Sequence, residues 1–148
     1  DSKALKEAVR EALYADVIAQ AAAWSVAIIS EQDIDSHGVH RANMRALTQA
    51  GMSLDITPDY ALIDGYAVKL PMPMQRVVHG DRDVFSIACA SIVAKVTRDR
   101  IMRGLEQTYP GYAFATHKGY GTRRHQEEIA QHGFSPIHRK SFHLKKWM

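Results

Sequence analysis

Two short apolar runs, ALIDG at residues 61–65 and VVHGD at residues 77–81, each finish on a single aspartate beside a glycine. Runs of this length and composition read as β-strands, and the glycine lets the backbone turn sharply where the strand stops. A carboxylate at the end of a buried strand is costly unless something compensates it. That can be a basic side chain, a set of backbone donors or a metal ion. Around the two runs, strand-like and helix-like segments alternate, which predicts an α/β layer architecture. A chain of 148 residues is long enough for one domain with a real core and hardly for two, so residues 1–148 are expected to form a single domain.

The remaining elements follow from periodicity and caps. Residues 2–23 are rich in helix formers, with Ser2 as the N-cap candidate and Leu5, Ala8, Val9, Leu13 and Val17 roughly on one face. WSVAIIS at 24–30 reads as a further strand, and EQDID as the start of a helical turn. GVHRANMRALTQAGM predicts a helix that stops near Gly51. A long helix is predicted from about Val84 to Tyr109, ended by Pro110 and Gly111. YPGYAFATHKGYG reads as a loop. TRRHQEEIAQHG reads as a helix with Thr122 as N-cap and Gly133 as stop, and FSPIHRKSFHLKKWM as irregular chain. Three strands are thin for a stable sheet.

Apolar content of 46% and charged content of 24% are ordinary for a soluble globular protein. No apolar run approaches the roughly 18–20 residues of a membrane span, and no secretory signal is visible, so no membrane partner is expected. The single cysteine, Cys89, excludes an internal disulfide framework and points to a reducing cytoplasm. Net charge is only +3, but from Tyr109 onward the cations Lys118, Arg123, Arg124, Arg139, Lys140, Lys145 and Lys146 face only two acids, Glu127 and Glu128. A basic segment beside acidic strand ends suggests a polyanion held over a metal site; a merely solvated tail is the plainer alternative.

Asp64 alone could be explained by an Asx-turn. Asp81 weakens that explanation, because it also ends a strand and precedes SIACASIVAKVTRD, whose Ser86, Ala88, Ala90, Ser91 and Ala94 allow a helix to lie close to a sheet. Neighbouring strand ends would bring two carboxylates together, and like charges in proximity call for a cation. Oxygen ligands suit Mg2+ or Mn2+, and carboxylate clusters clamping two metals are a device for phosphodiester cleavage. Asp99 lies four residues after Lys95, so an intrahelical ion pair is its simplest reading. In HKGYG, residues 117–121, two glycines flank Tyr120, which can either pack under its own loop or stack on a sugar or base. His117 and His125 suggest zinc only weakly, since no cysteine accompanies them.

DSKALKE, DIDSHGVHRANMRAL, ALIDG, VVHGD, SIACASIVAKVTRDR, YPGYAFATHKGYGT and HGFSPIHRKSF together resemble bacterial ribonuclease HII, of the ribonuclease H-like superfamily. The resemblance runs through the whole chain. It implies a ribonuclease H-like mixed sheet flanked by helices, with a C-terminal helical and loop segment over 109–148 that binds substrate. It implies an endoribonuclease that cuts the RNA strand of RNA–DNA hybrids and incises DNA on the 5′ side of a single embedded ribonucleotide. The cofactor implied is Mg2+ or Mn2+, and the complete enzyme is expected to be a monomer. Asp64 and Asp81 correspond to two of four catalytic, metal-binding carboxylates. Tyr120 corresponds to the tyrosine that senses the ribonucleotide–deoxyribonucleotide junction. Ser2 and Lys3 correspond to a segment near the nucleic-acid backbone, and Lys118, Arg123, Arg124 and Arg139 are the expected phosphate-binding cations.

One departure matters. The family begins with a strand carrying an aspartate–glutamate pair and a glycine–arginine–glycine loop, and neither is in this sequence. That strand is expected at the centre of the sheet, between the second strand and the one ending at Asp64. Residues 1–148 by themselves are therefore expected to be inactive. A non-catalytic nucleic-acid-binding fragment is the alternative reading, and a scaffold without a nucleic-acid role is a third.

Overall fold

The computed structural model describes residues 2–141, so the expected cations Lys145 and Lys146 lie outside the described residues. The chain divides into two compact units, one formed by residues up to Ile29 with Val39–Val96, the other by Ser30–Gly38 with the residues from Thr97 onward.

The first unit is a mixed α/β assembly. It contains α1 (Glu7–Gln20), α3 (Val39–Met52), β1 (Ala61–Asp64), β2 (Met74–Val77), the one-turn α4 (Gly80–Asp83) and the first half of α5 (Phe85–Thr108). The two strands pair in parallel, with Ala61 opposite Met74 and Asp64 opposite Val77. Their connection, residues 65–73, carries no helix and is shorter than the dozen or so residues usual for a parallel crossover. Gly65 makes the turn possible, with φ +68, and donates its N–H to the Val77 carbonyl at 2.8 Å. Buried apolar side chains of this unit include Ala42, Ile63, Val68, Ile87, Ile92, Val93 and Val96.

Two sequence expectations fail here. Residues 24–30 form no strand, although their composition favours one. A strand is stable only beside another strand, and the sheet among the described residues consists of β1 and β2 alone; Trp24 and Ile28 remain exposed. Ser2 is not a helix N-cap. It is buried in a turn where its carbonyl accepts from Arg10 Nη1 at 3.1 Å, and α1 starts at Glu7 after Lys6. The predicted apolar face of α1 is correspondingly weak: Val9 is exposed, whereas Arg10 is buried.

The second unit contains α2 (Glu31–His37), the latter half of α5, the short α6 (Phe114–His117) and α7 (Arg123–His132). The stretch predicted as plain loop thus holds one helical turn. Phe114 is almost fully buried there and stacks on Tyr112 at 5.2 Å, so tertiary packing rather than local propensity makes the turn. Thr122 caps α7 as expected, its Oγ1 accepting from the His125 N–H at 3.3 Å, and Gly133 ends the helix at φ +79. Thr122→Ala should lower stability by about 1 kcal/mol, read as a drop in melting temperature. Asp35 of α2 ties down the C-terminal segment: its carboxylate accepts from the Lys140 N–H and from the N–H and hydroxyl of Ser141. The Ser141 hydroxyl bond is the main reason that carboxyl lies below its ordinary pKa. Among the described residues, no helix is long and apolar enough to cross a membrane.

Candidate metal and nucleic-acid sites

In the first unit, the parallel pairing of β1 and β2 places Asp64 beside Val77, three residues before Gly80. The chain leaves β2 through His79, whose φ of +58 lies in the left-handed region that residues with a Cβ rarely adopt. That twist turns the Gly80 N–H onto Asp64, whose Oδ1 accepts it at 2.9 Å. Position 80 is tight: a Cβ there would sit 2.5 Å from Ile87 Cδ1 and 3.3 Å from Val77 Cβ, so any larger residue would force Ile87 to shift. The Gly–Asp pair therefore has a structural logic. Glycine brings the backbone close enough to fix one carboxylate, and the next residue, Asp81, supplies the second from the first turn of α4.

A cleft of about 510 Å³ opens beside Asp64. One wall is β1, with Tyr60, Leu62, Ile63 and Asp64; the other is the small-residue face of α5, with Ser86, Ala90, Ser91 and Ala94. Leu62 is 40% exposed on this side, and among the described residues β1 has a strand neighbour on one side only. The small residues that the sequence assigned to close helix–sheet contact thus line a gap instead. Ser2, buried, and Lys3, exposed, belong to this same unit.

In the second unit, Tyr120 sits on a tightly held turn and is 50% exposed. Its ring lies 4.8 Å from the Arg98 guanidinium of α5, and Arg98 Nη2 also donates to the Lys118 carbonyl at 2.7 Å. Lys118 is a second residue forced to positive φ, at +51. Its side chain is buried and its ammonium donates to the Ala115 carbonyl, so it braces the turn from inside rather than facing outward. Arg123 and Arg124 begin α7, paired with Glu127 at 2.8 Å and Glu128 at 3.0 Å. Two cations in a first turn oppose the helix dipole, an arrangement poor for the helix and favourable for an anion bound at its N-terminal end. Arg139 is partly exposed, next to the segment clasped by Asp35. Asp99 is buried, with Arg98 Nη1 3.7 Å from its Oδ1.

The sequence profile of the family described as Ribonuclease HII matches residues 1–146. The chain belongs to the ribonuclease HII family. Ribonuclease HII of Dehalococcoides mccartyi is 48% identical over 143 residues, a match that covers 96% of this chain and 68% of the relative. Ribonuclease HII of Acidothermus cellulolyticus is 47% identical over 143 residues, covering 96% of this chain and 47% of that protein. Among solved structures, the ribonuclease H2 from Pyrococcus horikoshii OT3 aligns with a TM-score of 0.79 at 24% identity, over 99% of this chain and 77% of that one. The latter likeness is one of fold.

Within this ribonuclease HII chain, sequence reasoning missed three contributors: Gly80 as the donor to Asp64, Arg98 as the platform under Tyr120, and a histidine cluster behind the same turn. The first was marked by its place in the Gly–Asp pair. Arg98 lies 22 positions before Tyr120, and no local pattern joins them. Among the described residues, no group of three or more His, Cys, Asp or Glu side chains is arranged to hold a metal ion.

Proposed function

We propose that this ribonuclease HII chain carries part of a metal-dependent endonuclease site, which hydrolyses the RNA strand of RNA–DNA hybrids and incises on the 5′ side of single ribonucleotides in duplex DNA. The observation that supports it most is the Asp64–Gly80–Asp81 arrangement, in which one carboxylate is pinned by a backbone N–H directly before the second. Asp64 uses one oxygen for that bond, and its donor set is hard and anionic, as Mg2+ or Mn2+ requires. A magnesium ion held by proteins commonly keeps most of its waters and takes only one or two carboxylates, so Asp64 and Asp81 suffice to start a site. When bound, such ions supply an activated water and stabilise the leaving oxygen. The chain's own contribution is to fix Asp64 in place before any cation arrives, so that its geometry need not be organised during the reaction.

The cleft beside Asp64 suits one further β-strand, paired to the open edge of β1 and covered by Ser86, Ala90 and Ala94. A strand bearing the remaining carboxylates, as the family resemblance implies, would complete both sheet and metal site. Residues 1–148 without it are read as the inactive part of an enzyme, monomeric once complete and working in the cytoplasm. Arg123, Arg124 and Arg139 are the cations assigned to phosphates, with Lys3 near the backbone; Lys118 acts through the turn it braces.

Tyr120 is assigned to the junction next to a ribonucleotide. Arg98 under its ring fixes the aromatic plane at one edge of the duplex-binding surface. Tyr120→Ala should reduce cutting at a single embedded ribonucleotide about 5- to 150-fold, since stacking on a sugar or base is worth about 1–3 kcal/mol. Cleavage of a continuous hybrid should suffer less. The check is the ratio of the two rates in the completed enzyme, and an unchanged ratio counts against this role.

A further inference from the structure

Behind the Tyr120 turn, three histidines from distant positions meet. The His117 and His125 rings stack face to face, with centroids 4.1 Å apart and planes 11° from parallel. The His138 ring lies 5.3 Å from His125. Their partners assign a proton to each ring. His117 Nδ1 accepts the Gly119 N–H at 3.1 Å, so its proton is on Nε2, which donates to Glu128 Oε2 at 2.9 Å. His125 Nδ1 faces the Tyr120 carbonyl at 3.0 Å and must donate, leaving Nε2 to accept. His138 Nδ1 accepts the Ser135 N–H at 2.9 Å, so its Nε2 carries the proton and donates to His125 Nε2 at 3.0 Å. The Ser135 hydroxyl also faces His138 Nδ1, at 2.7 Å, and as a donor it leaves that assignment unchanged. Each ring then holds one proton, the pattern of three neutral rings.

The ends of this network are what matter. His117 holds the residue before Tyr120 by its N–H, and His125 holds Tyr120 itself by its carbonyl. We propose that His117 and His125 are positioning residues, which clamp the backbone on both sides of Tyr120 through fixed neutral tautomers and thereby set how that tyrosine meets the nucleic acid. His138 fixes the tautomer of His125. The consequence for substrate rests on the role assigned to Tyr120; the clamp itself does not.

The surroundings favour the neutral state. Burial, followed by the neighbouring ring, pulls His138 below its ordinary pKa and outweighs the Ser135 backbone contact. Burial likewise lowers His125, against the Tyr120 carbonyl bond, which raises it. Burial pushes the Glu128 carboxyl up, but hydrogen bonds from His117, the Ala113 N–H and Arg124 more than offset this and keep it ionised. The other charged or titratable groups around the cluster are already engaged. Lys118 is bonded to Ala115, Arg98 to Lys118, Glu106 to the Ala115 N–H, and Tyr112 to the Gly133 carbonyl, while His132 stands edge-on to Tyr112. Because the folded pKa values of His125 and His138 are lowered, their stabilisation is fully present above about 6.5, the free imidazole value, and is lost as pH falls below it.

The test combines ring nitrogen NMR with substitution in the enzyme completed by its remaining strand. At pH 7.5, the nitrogen shifts should show His117 and His138 protonated on Nε2 and His125 on Nδ1; a charged ring, or the opposite tautomer at His125, overturns the clamp. His125→Ala should speed amide exchange at Gly119 and Tyr120 and lower the preference for a single-ribonucleotide duplex over a continuous hybrid about fivefold, the weight of one hydrogen bond. His125→Asn, whose side-chain amide reproduces the Nδ1 donor, should restore much of both, which a purely space-filling role would not allow. Should His125→Ala fail to fold, the tautomers of the unaltered protein and the Asn variant still decide. Faster exchange with an unchanged preference leaves the clamp standing and overturns its link to substrate through Tyr120.

Discussion

Asp64→Asn should abolish cleavage while leaving duplex binding nearly intact. The exchange removes one negative charge at constant shape, and asparagine Oδ1 can still accept the Gly80 N–H at the position where Asp64 accepts it at 2.9 Å. The local fold is therefore preserved, and what disappears is the anionic oxygen that a hard cation needs. Losing an outer-shell partner of a metal ligand typically costs about 10–100-fold, so losing a ligand's charge should cost more than about 100-fold in turnover. The measurement is hydrolysis of an RNA–DNA hybrid in Mg2+, with binding followed separately. Asp81→Asn should act in the same direction and less completely, because Asp64 remains fixed in place by the backbone. Turnover of Asp64→Asn near that of the native enzyme would sink the ligand assignment.

The second large effect concerns residues 1–148 taken by themselves. They should show no nuclease activity in either Mg2+ or Mn2+. Asp64 lines a cleft of about 510 Å³ whose walls are a strand edge unpaired among the described residues and a face of small side chains. An open apolar edge of this kind invites pairing with another chain or aggregation. The isolated 148 residues should thus be marginally stable or self-associating, which solution mass would reveal. Adding a segment that fills the cleft should raise the melting temperature and yield a monomer, since a ligand that binds only the folded state stabilises it.

Much of this was legible in the sequence, and the reasons differ by element. α5 and α7 were readable because their ends are marked by local chemistry, Pro110 and Gly111 in one case, Thr122 and Gly133 in the other. The end of β1 at Asp64 was readable because an aspartate beside glycine after an apolar run is locally unusual; β2 instead stops at Val77, and Asp81, expected to end it, lies in the first turn of α4 beyond the left-handed His79. The failed strand at 24–30 shows the opposite dependence: its residues favour β structure, but pairing is supplied by a partner, not by composition. The misplaced start of α1 has a similar origin, because the Arg10 side chain captures the Ser2 and Leu5 carbonyls and keeps the first residues in a turn.

The site was legible in part for the same reason. Asp64 and Asp81 lie on neighbouring elements and announce themselves by motif. Tyr120 was visible between its two glycines, but what holds it was not. Arg98 and His125 reach it from two separate stretches of chain, and His138 holds His125 from a third. The histidines suggested a weak zinc site when only spacing was available. Their actual neighbours are carbonyls, N–H groups, a carboxylate and each other, a set of hydrogen bonds that no spacing rule encodes. Lys118 looked like a phosphate ligand by type, yet its left-handed backbone turns it into the protein.

Complementation is the sharpest way to ask whether Asp64 and Asp81 belong to a metal-dependent ribonuclease site that this chain carries only in part. Residues 1–148 are assayed in Mn2+ and Mg2+ on duplex DNA bearing one ribonucleotide, alone and with the part of the Dehalococcoides mccartyi ribonuclease HII that they do not match, for both the native chain and Asp64→Asn. The expected result is no cleavage by the chain alone, incision on the 5′ side of the ribonucleotide when the two pieces are combined, and loss of that incision with Asp64→Asn. Incision by the chain alone, or by the combined pieces regardless of Asp64, would contradict the assignment.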